Sequence, residues 1–139
     1  MNIEIKKDLT SNWFKMIQES ICHSISDLEN NNISFKSTRW KKNKKKDEGG
    51  GEFRILKDGK IFDKVGVNYS KVYGKFPKNF QKKILGAKKN PSFWASGISV
   101  VMHMKNPHIP AMHFNTRYIC TTQDWFGGGI DVTPSIKDE

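Results

Sequence analysis

The sequence predicts an α+β fold, an antiparallel β-sheet flanked by helices, and three observations carry that prediction. Apolar residues recur at three- and four-residue spacing near the start, from Phe14 through Ile17, Ile21 and Ile25 to Leu28, as one face of a helix requires. From Phe93 onward the spacing changes to strict alternation, the period of a half-buried strand. Between the two regions, Asp58-Gly59 separates FRILK from KIFDKVGV, a two-residue hairpin signal because both residue types tolerate positive φ. Runs of helix and runs of strand that are segregated along a chain build α+β layers.

Taken in order, the first helix is expected to start at Thr10 or Ser11 as N-cap and to stop at Asn30-Asn31-Asn32. His23 on that helix reads as an exposed or satisfied histidine. Lys41 to Gly51 reads as a charged, glycine-rich loop. Pro77 to Lys89 reads as a short helix opened by proline and stopped near Gly86, with Phe80, Ile84 and Leu85 on one side. Lys105 to Pro110 is a turn, since two prolines cannot donate ladder hydrogen bonds. No internal repeat occurs. The 139 residues have the length of a single domain, 1–139.

Composition narrows the setting. Apolar residues make up 36% of the chain and mean hydropathy is −0.65, yet nine Phe and four Trp suffice for a modest core. No apolar run approaches the roughly 20 residues of a membrane span, and no signal peptide opens the chain, so a cytoplasmic protein without a membrane partner is expected. Cys22 and Cys120 lie far apart and read as reduced thiols. Net charge is +10. Residues 36–89 hold 18 Lys and Arg against 5 Asp and Glu, whereas residues 90–139 hold 3 against 4. Such a surplus fits a solvated lysine surface, the steering of an anionic small molecule, or, as the alternative function, a basic nucleic-acid-binding module. The lysine run 41–46 has no interleaved aromatic beyond Trp40, so it lacks a platform for stacking bases, and no nucleic-acid partner is expected.

Chemistry concentrates between Asn106 and Pro134. Alternation puts Met112, Phe114, Thr116, Tyr118 and Cys120 on one face of a strand and His113, Asn115, Arg117 and Ile119 on the other. The preceding strand divides into Ile98, Val100, Met102 and Met104 against Ser99, Val101 and His103. Pairing Met104 with Met112 sets His103 beside His113 and Ser99 beside Arg117, all on one face. Gly127, Gly128 and Gly129 lack the GK[ST] of a phosphate loop and instead suit close approach of backbone to a ligand.

These segments resemble the oxygen-dependent coproporphyrinogen III oxidases of haem biosynthesis. The likeness runs, in order, through Glu48-Gly49-Gly50-Gly51, FRILKDGKIFDKVGVNYSKVYG, GISVVMHMKNPHIPAMHFNTRY and WFGGGIDVTP. It implies oxidative decarboxylation of two propionates of coproporphyrinogen III to vinyls, with molecular oxygen as co-substrate and no organic cofactor. His113 then matches a proton donor, Arg117 a carboxylate-gripping arginine, and Asp131 the aspartate that accepts from pyrrole N–H groups. Ser99, Asn115 and Thr116 match substrate contacts, although the family more often has Tyr or Val where Thr116 stands. His103 and His113 match histidines at which a divalent metal has been placed in full-length members. The blander alternatives are an Asp131 that caps a turn beside Thr133, an Arg117 in a structural ion pair and a Ser99 that merely faces water. His108 reads as exposed.

Members of that family continue well beyond the segment matching Pro134 and form homodimers. The chain is therefore expected to correspond to the N-terminal half of the enzyme. On that reading it is incomplete or inactive alone, has an unpaired sheet edge, and leaves Phe114, Tyr118, Trp125 and Phe126 partly in water.

Overall fold

The structure is a computed structural model that describes residues 1–30 and 33–136. One long helix, α1 (Ile3–Glu29), precedes the strands β1 (Lys36–Lys41), β2 (Gly49–Lys57) and β3 (Phe62–Lys75). A single turn of helix, α2 (Lys78–Gln81), leads to β4 (Ser92–Met104), β5 (Ala111–Cys120) and β6 (Asp124–Thr133). The six strands form one antiparallel meander in sequence order, and α1 packs on β3 and β4. The α+β expectation is borne out.

α1 begins well before Thr10. Asn2 is its N-cap, with the side-chain oxygen accepting from the Glu4 N–H at 2.8 Å. The Thr10 hydroxyl instead donates back to the Lys6 carbonyl at 2.8 Å, inside the helix. Asn30 closes the helix in the left-handed conformation, φ 43; Asn31 and Asn32, the rest of the expected stop, lie outside the described residues. The buried stripe is Ser11, Phe14, Gln18, Cys22, Ile25 and Glu29, with Ile17 and Ile21 at its margin. Leu28, expected on the apolar face, is 61% exposed. Its place on the inward stripe is taken by Glu29, whose carboxylate accepts from the N–H groups of Lys60, Ile61 and Phe62 at 2.7, 3.1 and 2.7 Å. Ser11 and Gln18 are buried for the same reason: Ser11 shares a 2.6 Å hydrogen bond with the Tyr69 hydroxyl, and Gln18 donates to the carbonyls of Glu52 and Val67.

Three further expectations are corrected. Gly49–Gly51 belong to β2 rather than to a loop, which shrinks to residues 42–48, and β1 was not anticipated. The β2–β3 turn spans residues 58–61: Asp58 supplies the positive φ (58), and Gly59 is where the Glu29 carboxylate would stand 2.1 Å from any Cβ. α2 is only four residues long, and of the side expected to be apolar Phe80 and Leu85 are exposed while Ile84 is half-buried. Helices this short are marginal without tertiary support.

The core lies between α1 and one face of the sheet. Leu56, Val65, Val67, Ile98 and Val100 project from neighbouring strands toward Phe14, Cys22 and Ile25. Tyr118, expected to face water, is buried beneath this layer, where its hydroxyl donates to Asp124. Of the other three aromatics expected partly in water, Phe126 is 62% exposed and Phe114 and Trp125 are half-buried.

Candidate functional site

The opposite face of the sheet carries the side chains of Ser99, His103, His113, Asn115, Arg117 and Asp131, but not that of Thr116. Each of three rows crosses four strands: Gly66, Val101, His113 and Asp131; Asn68, Ser99, Asn115 and Gly129; Ser70, Gly97, Arg117 and Gly127. Alternation sends all of them away from α1, so the residues that bear chemistry share a surface with no helix of the described residues upon it.

The observed register differs from the expected one by two residues. Met102, not Met104, pairs with Met112, so Val101 stands opposite His113, Ser99 opposite Asn115 and Gly97 opposite Arg117. A slip of two preserves the face of every side chain, whereas a slip of one would have reversed it. His103 still meets His113, now diagonally: the rings are 5.2 Å apart at 29°, with Nε2 atoms 2.9 Å apart in a hydrogen bond. Ser99 and Arg117 are not neighbours across the ladder. Arg117 donates to the Asn115 side-chain carbonyl at 2.5 Å, and no carboxylate pairs with it among the described residues. Asp131 accepts from the Thr133 hydroxyl at 2.6 Å, as the bland alternative foresaw, but within a strand rather than at a turn.

Two shallow hollows lie on this surface. One, about 360 Å³, is lined by Ser99, Val101, His113, Asn115, Gly129 and Asp131. Its neighbour, about 390 Å³, is lined by Asn115, Arg117, Ile119 and Gly127 to Gly129. A Cβ on Gly127 or Gly129 would meet nothing within 4 Å, so no packing within the described chain demands glycine there. Gly97 is different: a Cβ would lie 2.5 Å from the Thr116 carbonyl oxygen. The result is a flat bare strip beside a guanidinium, an amide, an imidazole pair and a carboxylate, a surface suited to a planar ligand with acidic arms.

Thr116 projects to the α1 side, between Ile98 and Gly128, so only its backbone lies near the site. His108 is exposed in the β4–β5 turn, where its N–H donates to Asn106, and His23 is exposed with Asp27 beside it at 3.3 Å. His103 and His113 provide two donors whose Nε2 atoms are bonded to each other, and zinc centres use three or four ligands. No group of three or more His, Cys, Asp and Glu suited to a metal ion occurs among the described residues. The pair does not by itself fit a metal centre.

The sequence reading missed Asn68, whose side-chain oxygen accepts from the Trp40 indole at 2.9 Å on this same face. The alternation of Val65 and Val67 with Gly66 and Asn68 was the available signal. Electrostatic perturbation concentrates on the α1 side instead. There Glu52 is held below the ordinary carboxyl range by the Ser37 hydroxyl and then by Arg54. Burial pushes the Cys22 thiol up to about 11, with Arg54 opposing.

Compared with known proteins, residues 9–139 match the family model of coproporphyrinogen III oxidase. The oxygen-dependent coproporphyrinogen-III oxidases of Rickettsia typhi and Rickettsia prowazekii are each 45% identical over an alignment of 147 residues, covering 100% of this chain and 51% of theirs. That of Rickettsia bellii is 43% identical over 137 residues, covering 96% of this chain and 49% of its own. The chain spans about half the length of the curated relatives it matches.

Proposed function

The chain belongs to the coproporphyrinogen III oxidase family, and from that premise we propose that its open sheet face holds coproporphyrinogen III for oxidative decarboxylation to protoporphyrinogen IX. Residues 1–139 act in this reading as one domain that supplies one wall of the site, working with a second half in a homodimeric assembly. The observation that carries the proposal is the placement of His113, Asn115, Arg117 and Asp131 on one uncovered face, bordered by glycines that packing does not require.

Each group has a task suited to its chemistry. Asp131 accepts from pyrrole N–H groups and offsets positive charge that develops as the electron-rich ring is oxidised. Arg117 grips a propionate in a forked contact, with Asn115 holding the guanidinium in place. His113 moves a proton, and its contact with His103 fixes the ring. Ser99 contacts substrate from the adjacent strand, and Thr116 contributes through its backbone. Each propionate loses carbon dioxide and a hydrogen with its electron pair to become a vinyl, and molecular oxygen takes up the electrons. No step here runs through a metal. The two free, buried cysteines suit a reducing cytoplasm.

A fluorescence assay of porphyrin formed from anaerobically prepared coproporphyrinogen tests the reading. The chain alone is expected to turn over little or no substrate, and mixing it with the remaining half of the Rickettsia typhi relative is expected to restore activity. In the mixture, Asp131→Asn should lower turnover by ~10²–10³-fold, the usual effect of losing an electrostatic stabiliser. Lys60→Ala, in the β2–β3 turn, should change it little. Equal losses in the two variants would remove Asp131 from the site.

A further inference from the structure

Much of the positive charge of this protein lies at one end of the sheet, while Lys36, Lys57, Lys60, Lys64 and Lys105 stand at the other. No aspartate or glutamate occurs between Asp63 and Asp124, a stretch with nine lysines and Arg117. α1 starts at the first end, where Lys6 meets Asp124 at 3.1 Å, and Glu29 ties its other end to the β2–β3 turn. Because the strands form a meander, the connections 42–48, 76–91 and 121–123 all emerge beside the α1 start. Lys78, Lys82, Lys83, Lys88 and Lys89 of the second connection are all exposed, and none has an ion-pair partner among the described residues. The lysine-rich connection 42–48 stands at the same end.

This surface has a feature that an electrostatic site for anions in solution does not need. Phe80 and Leu85 stand 49% and 57% exposed among those lysines. Lys82, Lys83, Leu85, Lys88 and Lys89 line one concavity of about 520 Å³, together with Thr122 and Gln123. The segment is anchored rather than loose. The Thr121 hydroxyl donates to the Leu85 carbonyl at 2.7 Å, the Thr122 hydroxyl to the Gly86 carbonyl at 3.0 Å, and Ala87 is fully buried. The segment therefore holds Ala87 inward, keeps Ile84 half-buried and presents Phe80 and Leu85 outward.

We propose that this end docks on an anionic phospholipid bilayer, with the lysines at headgroup phosphates and Phe80 and Leu85 at the boundary of the acyl chains. Cations interleaved with large apolar side chains are the pattern of an interfacial contact. No helix among the described residues is long and apolar enough to cross a membrane, so the attachment is peripheral. A nucleic acid would use the lysines but leave Leu85 idle, since an aliphatic tip offers no face for stacking. The inference does not depend on the porphyrinogen reading, because these residues lie off the open sheet face.

Co-sedimentation of the 139-residue chain with vesicles tests it, comparing phosphatidylcholine alone with mixtures containing phosphatidylglycerol. Binding is expected on the anionic vesicles and not on the neutral ones, with weakening in high salt. Each lysine at such a surface contributes about a fivefold factor, so replacing Lys82, Lys83, Lys88 and Lys89 by Ala should lower affinity by more than ~100-fold. Phe80→Ser with Leu85→Ser should lower it by about tenfold or more through lost apolar burial. Circular dichroism confirms that both variants keep the fold, and Lys60→Ala at the far end serves as the unaffected control. The proposal is overturned by no binding to anionic vesicles, by equal binding to neutral ones, or by an unchanged affinity in the Phe80 and Leu85 variant. Tighter binding of a DNA duplex that displaces the vesicles would assign the surface to nucleic acid instead.

Discussion

The two faces of this sheet are made by the same strands and differ in nearly everything else. Toward α1, β3 to β5 present Val65, Val67, Ile98, Val100 and Tyr118, each 5% exposed or less. Away from α1 the same strands present Asn68, Ser99, His103, Asn115 and Arg117, interrupted by Gly66 and Gly97. The first face is selected for volume, because removing area from water stabilises by roughly 25 cal/mol per Å² and close packing penalises any misfit. The second is selected for what it can hold. Polar groups in contact with water contribute little to folding, so their identity is free to serve a ligand.

The comparison breaks most readily through the core. Phe14→Ala should cost about 3–5 kcal/mol by cavity formation, whereas Ser99→Ala should stay within about 0.5 kcal/mol. Urea denaturation followed by circular dichroism measures both, and comparable losses would show that the open face also holds the fold together. The glycines sharpen the contrast. Gly97→Ala forces a Cβ against the Thr116 carbonyl oxygen at 2.5 Å and should destabilise by about 1–3 kcal/mol. Gly129→Ala enters open space and should leave stability within about 0.5 kcal/mol, while obstructing any flat ligand on the strip. A destabilised Gly129→Ala would mean that something within the chain already rests there.

Titration separates the faces further. The Glu52 carboxyl is held below its ordinary value of 4.5, by Ser37 first and then Arg54. A depressed carboxyl contributes stability that is present above the unfolded value and lost as pH falls through the folded one. Thermal melting from pH 7 downward should therefore show a decline below roughly pH 4.5 that Glu52→Gln reduces. The smallest effect expected is kinetic. With Cys22 pushed up to about 11 by burial, its thiol stays protonated at neutral pH and should alkylate far more slowly in the folded chain than in the denatured one. The sign also fixes a stability limb: an acid whose folded value is raised binds more protons folded, so its contribution fades as pH rises from the ordinary 9.0 through about 11. Mass spectrometry after timed exposure to iodoacetamide reads the first effect directly.

Much of the fold and most of the candidate site were legible in the chain itself. Alternation placed His103, His113, Asn115 and Arg117 on one face and Met112, Phe114 and Tyr118 on the other, because successive side chains point to opposite sides of any strand. The family resemblance added a role for Asp131, and family membership is borne out. The register, by contrast, came out two residues from the pairing read from Met104 and Met112, and β1 went unseen. Ser11, Gln18 and Glu29 did not read as core residues, since each is buried by a partner more than thirty positions away. Local period follows from covalent geometry and is written in every short window of sequence. Register, helix limits and the burial of polar groups depend on which distant backbone groups meet, and that is settled only when the strands and α1 close upon one another.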